Sequence, residues 1–230
     1  MNKLLKPVRK VARSYGYDIV KYSSTPSLFD LHGVDCVIDI GANDGGYATE
    51  IREAGWNGKI FSIEPQPKTY ARLEQRFATD TLWEGLNIGL GNKNTSLVLN
   101  IYEMDVLSSF LEKIEGNPVV DQIEVPVRRL DGILDGILAD KTKPFVKIDT
   151  QGFEMEIING LGERVNEVVG WQLELSVEPL YENQPLMEDV IAKMREMGYS
   201  LWKILPGLRD PSTLRAYEFD GVFFKDLASN

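Results

Sequence analysis

The sequence predicts a three-layer α/β sandwich: a mostly parallel β-sheet with helices on both faces and an antiparallel strand near the C-terminus. After residue 35, short runs of β-branched residues alternate with longer stretches that carry an apolar residue at every third or fourth position. The 230 residues suffice for one sizeable core, whereas two separate domains would each be small. We therefore expect one domain over residues 35–228, with a basic helical segment at residues 1–34 packed against it.

The first two strand-helix units are predicted from apolar runs that end at turn residues. The first run ends at Gly41, and the helix that follows it closes with a glycine. The second run ends at a proline, and apolar residues at helical spacing come after it. The predicted elements are strands at 36–40 and 59–65, a helix at 47–54, and a second helix carrying Tyr70, Leu73 and Phe77.

The middle of the chain predicts a weak strand and a hairpin. Residues 82–91 form the weaker third strand, and residues 96–102 alternate as a half-buried strand does. Residues 123–130 are expected to pair with that strand, and Pro126 should keep them at a sheet edge, because proline cannot donate a ladder hydrogen bond. Residues 103–122 have no steady period and predict a loop over one end of the sheet.

The last third of the chain returns to alternating strands and helices, and its final two strands flank a Gly/Pro-rich connection that predicts an antiparallel pair. The predicted strands are 144–149, 168–176, 200–205 and 218–225, and the predicted helices are 153–161 and 186–197.

Composition excludes some functions. The net charge of -10 disfavours nucleic-acid partners, since phosphate binding depends on clustered Lys and Arg. The lone Cys36 cannot form an internal disulfide, which fits a reducing compartment. No apolar stretch approaches the roughly 18 residues of a spanning helix, so we expect a cytoplasmic protein without a transmembrane segment.

The first thirteen residues are a local exception to the acidic composition. They carry basic residues and no acid, interleaved with apolar residues at helical spacing: Lys3, Lys6, Arg9, Lys10 and Arg13. A solvated helix packed on the domain edge is the favoured interpretation. Weak peripheral contact with an anionic membrane is the alternative.

Ligands of open parallel sheets bind at the carboxyl ends of the strands, so the residues at those ends indicate the chemistry. The strand-end residues, in chain order, are Asp39, Glu64, Asn87, Asp149 and Glu174. Most of them carry a carboxylate, which suits a ligand with positive charge or hydroxyl groups better than a phosphate.

The glycine loop after the first strand reads "DIGANDGG". It lacks the lysine and hydroxyl of a phosphate-binding loop, and Asn43 stands where a dinucleotide fold has its middle glycine. Asp39 would repel a phosphate and suit the ammonium and sulfonium of S-adenosylmethionine. Glu64 is placed to accept hydrogen bonds from two ribose hydroxyls, but NAD would use an acid there too, so a dinucleotide-dependent oxidoreductase remains the alternative.

Five sequence blocks together resemble the FkbM-type S-adenosylmethionine-dependent methyltransferases. They are "VIDIGANDGGYA", "FSIEPQP", "LNIGLG", "VPVRRLD" and "VKIDTQGFEMEIINGL". The resemblance implies a class I methyltransferase fold, which is Rossmann-like with a seven-stranded sheet, and methylation of a hydroxyl on a carbohydrate, polysaccharide or related hydroxylated metabolite. By motif match it implies these cofactor residues: Asp39, Gly41, Ala42, Asn43, Gly45, Glu64, Pro65, Asn87, Ile88 and Ser108.

One departure from the family pattern concerns the catalytic base. Gln151 occupies the position where the family usually has Glu, and a glutamine cannot accept the proton of an attacking hydroxyl. The predicted catalytic residues are Asp149 as base and Glu174, which orients the substrate or serves instead. Asp149 as a helix cap and His32 as base are open alternatives, and no metal is expected. A non-catalytic binding module that keeps the fold is a further alternative.

Overall fold

Seven strands form the main sheet of the computed structural model, which describes residues 5–17, 25–103, 107–114, 118–138 and 142–226. In chain order the ten strands are β1 Cys36–Ile40, β2 Lys59–Ile63, β3 Trp83–Leu86, β4 Gly89–Leu90, β5 Thr95–Tyr102, β6 Val119–Arg128, β7 Pro144–Ile148, β8 Gly170–Ser176, β9 Ser200–Pro206 and β10 Glu218–Phe224. The main sheet has the order β3-β2-β1-β7-β8-β10-β9, and β10 runs antiparallel to both of its neighbours. This confirms the predicted mostly parallel sheet, but the single strand predicted at 82–91 is divided into β3 of this sheet and β4 of a second one.

Helices cover both faces of the sheet. They are α1 Leu5–Ser14, α2 Pro26–His32, α3 Gly46–Glu53, α4 Pro67–Phe77, α5 Leu134–Ile137, α6 Glu154–Asn159 and α7 Met187–Glu196, with a 3₁₀ turn at Gly162–Glu167. Successive residues of a strand point to opposite faces. Val37 therefore joins a core with α2, α3 and α4, and Ile38 joins a second core with α5, α6 and α7. The three-layer prediction is confirmed, and the predicted helices differ from the observed ones by one or two residues at their ends.

The strand order reverses at β1. The chain builds β1, β2 and β3 outward on one side and then returns to place β7 and β8 on the other side of β1. Such a reversal leaves a crevice at the carboxyl ends of the two central strands, where ligands of this architecture bind. The fold therefore directs attention to the residues that follow β1, β2 and β7.

A second sheet of three strands, in the order β4-β6-β5, lies beside the main one. The predicted pairing of 96–102 with 123–130 is confirmed as the antiparallel β5-β6 pair. The expectation that Pro126 places its strand at an edge is wrong, because β6 is the middle strand. Proline is tolerated there since β4 pairs only with Val127 and Arg128 and does not reach Pro126.

The amino-terminal residues differ in how far they are buried. Phe29 of α2 is fully buried in the core, whereas every residue from 6 to 17 is at least partly exposed. Residues 1–4 and 18–24 of the predicted packed segment lie outside the described residues. Within the described ranges, no helix combines the length and apolar character required to cross a bilayer.

Candidate active site

A cleft opens at the carboxyl ends of β1, β2 and β7, the edge of the sheet where ligands of this architecture bind. Its lining residues are Gly41, Asn43, Glu64, Pro65, Gln66, Thr69, Leu99, Ser108, Phe110, Asp149, Thr150 and Gln151. Two of these side chains are carboxylates, and among the described residues no Lys, Arg or His lines the cleft. The cleft is therefore suited to cationic or hydroxyl-bearing ligands.

The glycine loop, residues 41–45, forms one wall of this cleft and uses all of its own backbone donors. Gly41 and Ala42 donate to the Ile63 carbonyl, Gly45 donates to the Ala42 carbonyl, and the Asn43 and Asp44 amides donate to side-chain oxygens. A pyrophosphate on such a loop needs free N–H groups. The loop as folded has no backbone N–H left to offer one.

Gly41 is required by the packing of the loop against β7. Its φ is +72°, and a Cβ built on it would lie 1.9 Å from the backbone oxygen of Asp149. Only glycine tolerates both the left-handed backbone and this approach. The glycine therefore allows the ends of β1 and β7 to come together beneath the cleft.

Glu64 is held at the tip of β2 by the loops on either side of it. One carboxylate oxygen accepts the Asn43 N–H at 2.9 Å, and the other accepts the Gln66 N–H at 2.9 Å. Burial raises the pKa of Glu64 from 4.5 to about 7, although these two hydrogen bonds lower it. The side chain is 7% exposed and borders the cleft.

A buried ion cluster lies beneath the cleft floor. Lys147 Nζ is 3.3 Å from Asp39 Oδ1 and 3.3 Å from Asp149 Oδ2. The first contact follows from strand register, since Asp39 of β1 pairs with Lys147 of β7. Burial lowers the pKa of Lys147, but the two aspartates raise it above its ordinary value; burial raises the pKa of Asp39.

Gln151 connects Asp149 with Glu174. Its amide nitrogen donates to Asp149 Oδ1 at 3.2 Å and to Glu174 Oε1 at 3.1 Å, and its amide oxygen lies 2.9 Å from the Tyr181 hydroxyl. Gln151 has a φ of +55°, which is unusual for a residue with a side chain and is found at functional sites. The Ser109 hydroxyl donates to the Gln151 carbonyl at 2.8 Å.

Several carboxylates surround this bridge. Burial, and then Asp149, raise the pKa of Glu174 well above its ordinary value, while burial raises the pKa of Glu218 to about 7 and that of Asp220 to about 6. Glu154 accepts hydrogen bonds from the Thr150 and Gly152 N–H groups and so closes the turn after β7.

The structure brings together six of the residues predicted from the sequence. Lining the cleft are Gly41, Asn43, Glu64, Pro65, Ser108 and Asp149; away from its surface lie Asp39, Ala42, Gly45, Asn87, Ile88 and Glu174. Asn87 instead donates to the carbonyls of Glu64 and Pro65 and braces their loop. Gly45 packs against α4, where a Cβ would come within 2.5 Å of Phe77.

His32 lies at the opposite, amino-terminal edge of the sheet. Its ring stacks on Phe224 with the ring centroids 3.9 Å apart and meets Trp202 edge-on. Burial lowers the pKa of His32. The alternative of His32 as base is wrong, because the histidine packs among aromatic rings far from the cleft.

Sequence reasoning missed part of the cleft wall. The lining residues that it did not predict include Gln66, Thr69, Leu99, Phe110 and Thr150. Gln66 and Thr69 follow Glu64 directly at the start of α4, so their positions were readable from the strand-end rule. Leu99 and Phe110 reach the cleft through the second sheet and its loop, and no local pattern indicates that.

Curated relatives of the chain are methyltransferases by description. Methyltransferase 1 of Beauveria bassiana (strain ARSEF 2860) is 24% identical over 145 residues, which are 55% of this chain and 58% of that protein. Methyltransferase sdnD of Sordaria araneosa is 23% identical over 191 residues, which are 70% of each chain. The chain thus spans less than two thirds of the first of these relatives.

Among solved structures, the magnesium protoporphyrin IX methyltransferase from Synechocystis PCC 6803 matches 96% of this chain and 92% of its own, at 12% identity and a TM-score of 0.46. That likeness is too distant to indicate a function. The model of the family described as "Methyltransferase FkbM domain" matches residues 39–201, well over half of the chain. The chain therefore belongs to the FkbM methyltransferase domain family, which confirms the resemblance found in the sequence.

Proposed function

We propose that the protein is an S-adenosylmethionine-dependent O-methyltransferase that acts on a hydroxyl of a carbohydrate, polysaccharide or related hydroxylated metabolite. The observation that carries the cofactor assignment is the polarity of the cleft. Glu64 and Asp149 border it, no basic side chain among the described residues does, and the glycine loop has no backbone N–H left for a phosphate. The acceptor class comes from the family resemblance.

The residues present fit S-adenosylmethionine. Glu64 is fixed by two backbone donors and keeps further lone pairs for ribose hydroxyls. The Ser108 hydroxyl oxygen is buried in the cleft wall without a hydrogen-bond partner among the described residues. Unpaired buried polar atoms of this kind are stabilised when a polar ligand reaches them.

When bound, the cofactor supplies an electrophilic methyl group whose bond to sulfur breaks as the bond to the acceptor oxygen forms. The chain must then place the acceptor hydroxyl and remove its proton. Asp149 is the proposed base, because its carboxylate borders the cleft and is 39% exposed. Lys147 and Gln151 hold its two oxygens, and Glu174, which does not reach the cleft, acts through Gln151 as a positioning residue.

The alternatives are less well supported. A dinucleotide-dependent oxidoreductase must hold an anionic pyrophosphate, whereas carboxylates border this cleft and no basic side chain among the described residues does. A non-catalytic binding module has no need for a carboxylate that is exposed in the cleft and oriented by a lysine and an amide.

Calorimetric titration of the full chain with S-adenosylmethionine, and separately with NAD, tests the cofactor. Binding of the first and not the second is expected, and the reverse would refute the assignment. A transfer assay with methyl-labelled cofactor against sugar nucleotides and cell extracts then tests the acceptor.

Asp149→Asn tests the base on the acceptor so identified. Turnover should fall about 100-fold or more, the usual contribution of a general base, while the cofactor Kd changes less than about threefold. Glu124→Gln, an exposed position on β6, is the control. Undiminished turnover in Asp149→Asn would exclude Asp149 as the base.

A further inference from the structure

The helix α1 and the residues that follow it have an apolar side that the structure leaves exposed. Val8 is 52% exposed and Val11 is 60% exposed, and the tyrosines that follow the helix, Tyr15 and Tyr17, are 77% and 72% exposed. At 100° per residue, Val8, Val11, Ala12 and Tyr15 share one side of a helix. Exposed apolar residues scattered singly are ordinary, but Val8, Val11 and Tyr15 on one side of about two helical turns mark an interaction surface.

The opposite side of α1 is basic. Lys6, Arg9, Lys10 and Arg13 follow one another at helical spacing, and no acidic residue occurs in the first seventeen positions. Because residues 1–17 carry a charge of +5 and the whole chain carries -10, the remainder carries -15. The segment is therefore the part of the chain that an anionic surface attracts, while the acidic remainder is repelled by it.

We propose that α1 and Tyr15 and Tyr17 bind to the surface of an anionic phospholipid bilayer. A helix with an apolar side, a Lys/Arg side and aromatic neighbours lies in the bilayer interface, where apolar residues enter the acyl boundary and basic residues meet the headgroups. Tyrosine favours that boundary because its ring is apolar and its hydroxyl can hydrogen-bond to water.

The charge pattern favours a bilayer over a second copy of the chain. Pairing α1 with α1 of another copy through the apolar sides would leave both basic sides on the outside without an anionic partner, whereas a bilayer supplies an apolar boundary and anionic headgroups together. A bilayer needs no preformed groove, so the two valines of α1 and the two tyrosines that follow it can enter its surface in a weak, reversible contact. The proposal concerns a surface outside the cleft and stands whether or not the proposed methyl transfer is correct.

Vesicle flotation with the full chain tests the proposal. The unmodified protein should float with vesicles of phosphatidylserine and phosphatidylcholine at low salt. It should stay behind with phosphatidylcholine alone, and also with the anionic vesicles at high salt, which screens the attraction. Failure to float with anionic vesicles at low salt would overturn the proposal.

Two double variants separate the apolar and basic contributions. Val8→Ser with Val11→Ser should weaken partitioning about tenfold by removing buried methyl groups, and valine and serine have similar helix propensities. Lys6→Gln with Lys10→Gln should weaken it about 30-fold at low salt. Equal flotation of either variant and the parent would contradict the assigned surface.

Matched controls use residues of the same type and exposure elsewhere. Val98→Ser with Val120→Ser changes valines that are 50% and 58% exposed, and Lys68→Gln with Lys93→Gln changes two exposed lysines. Both should float as the parent does. Light scattering without lipid measures whether the parent chain forms a dimer. If it does, and Val8→Ser with Val11→Ser abolishes that dimer, then α1 binds a second copy of the chain and the bilayer proposal fails.

Discussion

Replacing Glu64 with glutamine should change how the stability of the ligand-free protein depends on pH. The carboxyl is buried at the tip of β2, and burial raises its pKa from 4.5 to about 7. An acid with a raised pKa in the folded state stabilises that state when it is protonated. This stability is fully present below the unfolded pKa and is lost as the pH rises through the folded pKa.

The size of the effect follows from the two pKa values. At 1.36 kcal/mol per pH unit, the gap between 4.5 and about 7 corresponds to about 3 kcal/mol, of which about 2.5 kcal/mol falls between pH 5 and pH 8. The glutamine variant cannot lose this stability. It does lose one hydrogen bond to a backbone N–H, at a cost of about 1–3 kcal/mol that is the same at both pH values.

Urea unfolding of the parent and of Glu64→Gln at pH 5 and pH 8 tests the prediction by measuring the free energy of unfolding of each protein. The difference in unfolding free energy between the two proteins should move by about 2.5 kcal/mol in favour of the variant as the pH rises. Contributions of Glu218 and Asp220 cancel because both proteins contain them. A movement below about 1 kcal/mol would refute the reasoning, and the exposed Glu124→Gln should show none.

Two further substitutions test the geometry around the cleft by urea unfolding. Gly41→Ala should lower the unfolding free energy by about 3 kcal/mol or more, because its Cβ would overlap the Asp149 carbonyl. The control, Gly46→Ala, adds a Cβ that meets no atom within 4 Å and should be within about 1 kcal/mol of the parent. Equal effects of the two substitutions would contradict the packing argument. Gln151→Glu should lower the unfolding free energy by about 2 kcal/mol at pH 8, because it puts a carboxylate beside Asp149 and Glu174. The decrease should be smaller at pH 5, where the new acid is protonated. A decrease that is the same at both pH values would count against the amide bridge.

The sheet and its strand ends were predictable because they depend on local periodicity. The apolar run of β1 and the glycine after it place the loop at residues 41–45, and the proline after β2 places Glu64 at a strand tip. The ion pair of Lys147 with Asp149 joins residues two apart in the chain, but the second partner of Lys147, Asp39, follows from strand register, which one sequence does not give. Register is a long-range property.

The remainder of the site depends on contacts between segments far apart in the chain. The sequence shows only that Gln151 cannot be a base; its role as a bridge needs the positions of Glu174 and Tyr181, 23 and 30 residues away. Residues 112–114 and 180–182 are joined by backbone hydrogen bonds, so two loops without periodicity form one cover over Gln151. Pattern reasoning assigns such segments only as loops.

The contact between Gly41 and the Asp149 carbonyl bears on how descendants of this chain would diverge. A glycine that the backbone needs in order to fold is retained by selection for folding alone, even in a lineage that has given up catalysis. The side chain of Asp149 borders the cleft, and Lys147 keeps Asp39 as a partner when the Asp149 carboxylate is lost, so position 149 would be freer to change in that lineage. On the proposed role of Asp149 as base, loss of the carboxylate at position 149 with the glycine intact would therefore mark a chain that folds but no longer transfers methyl groups.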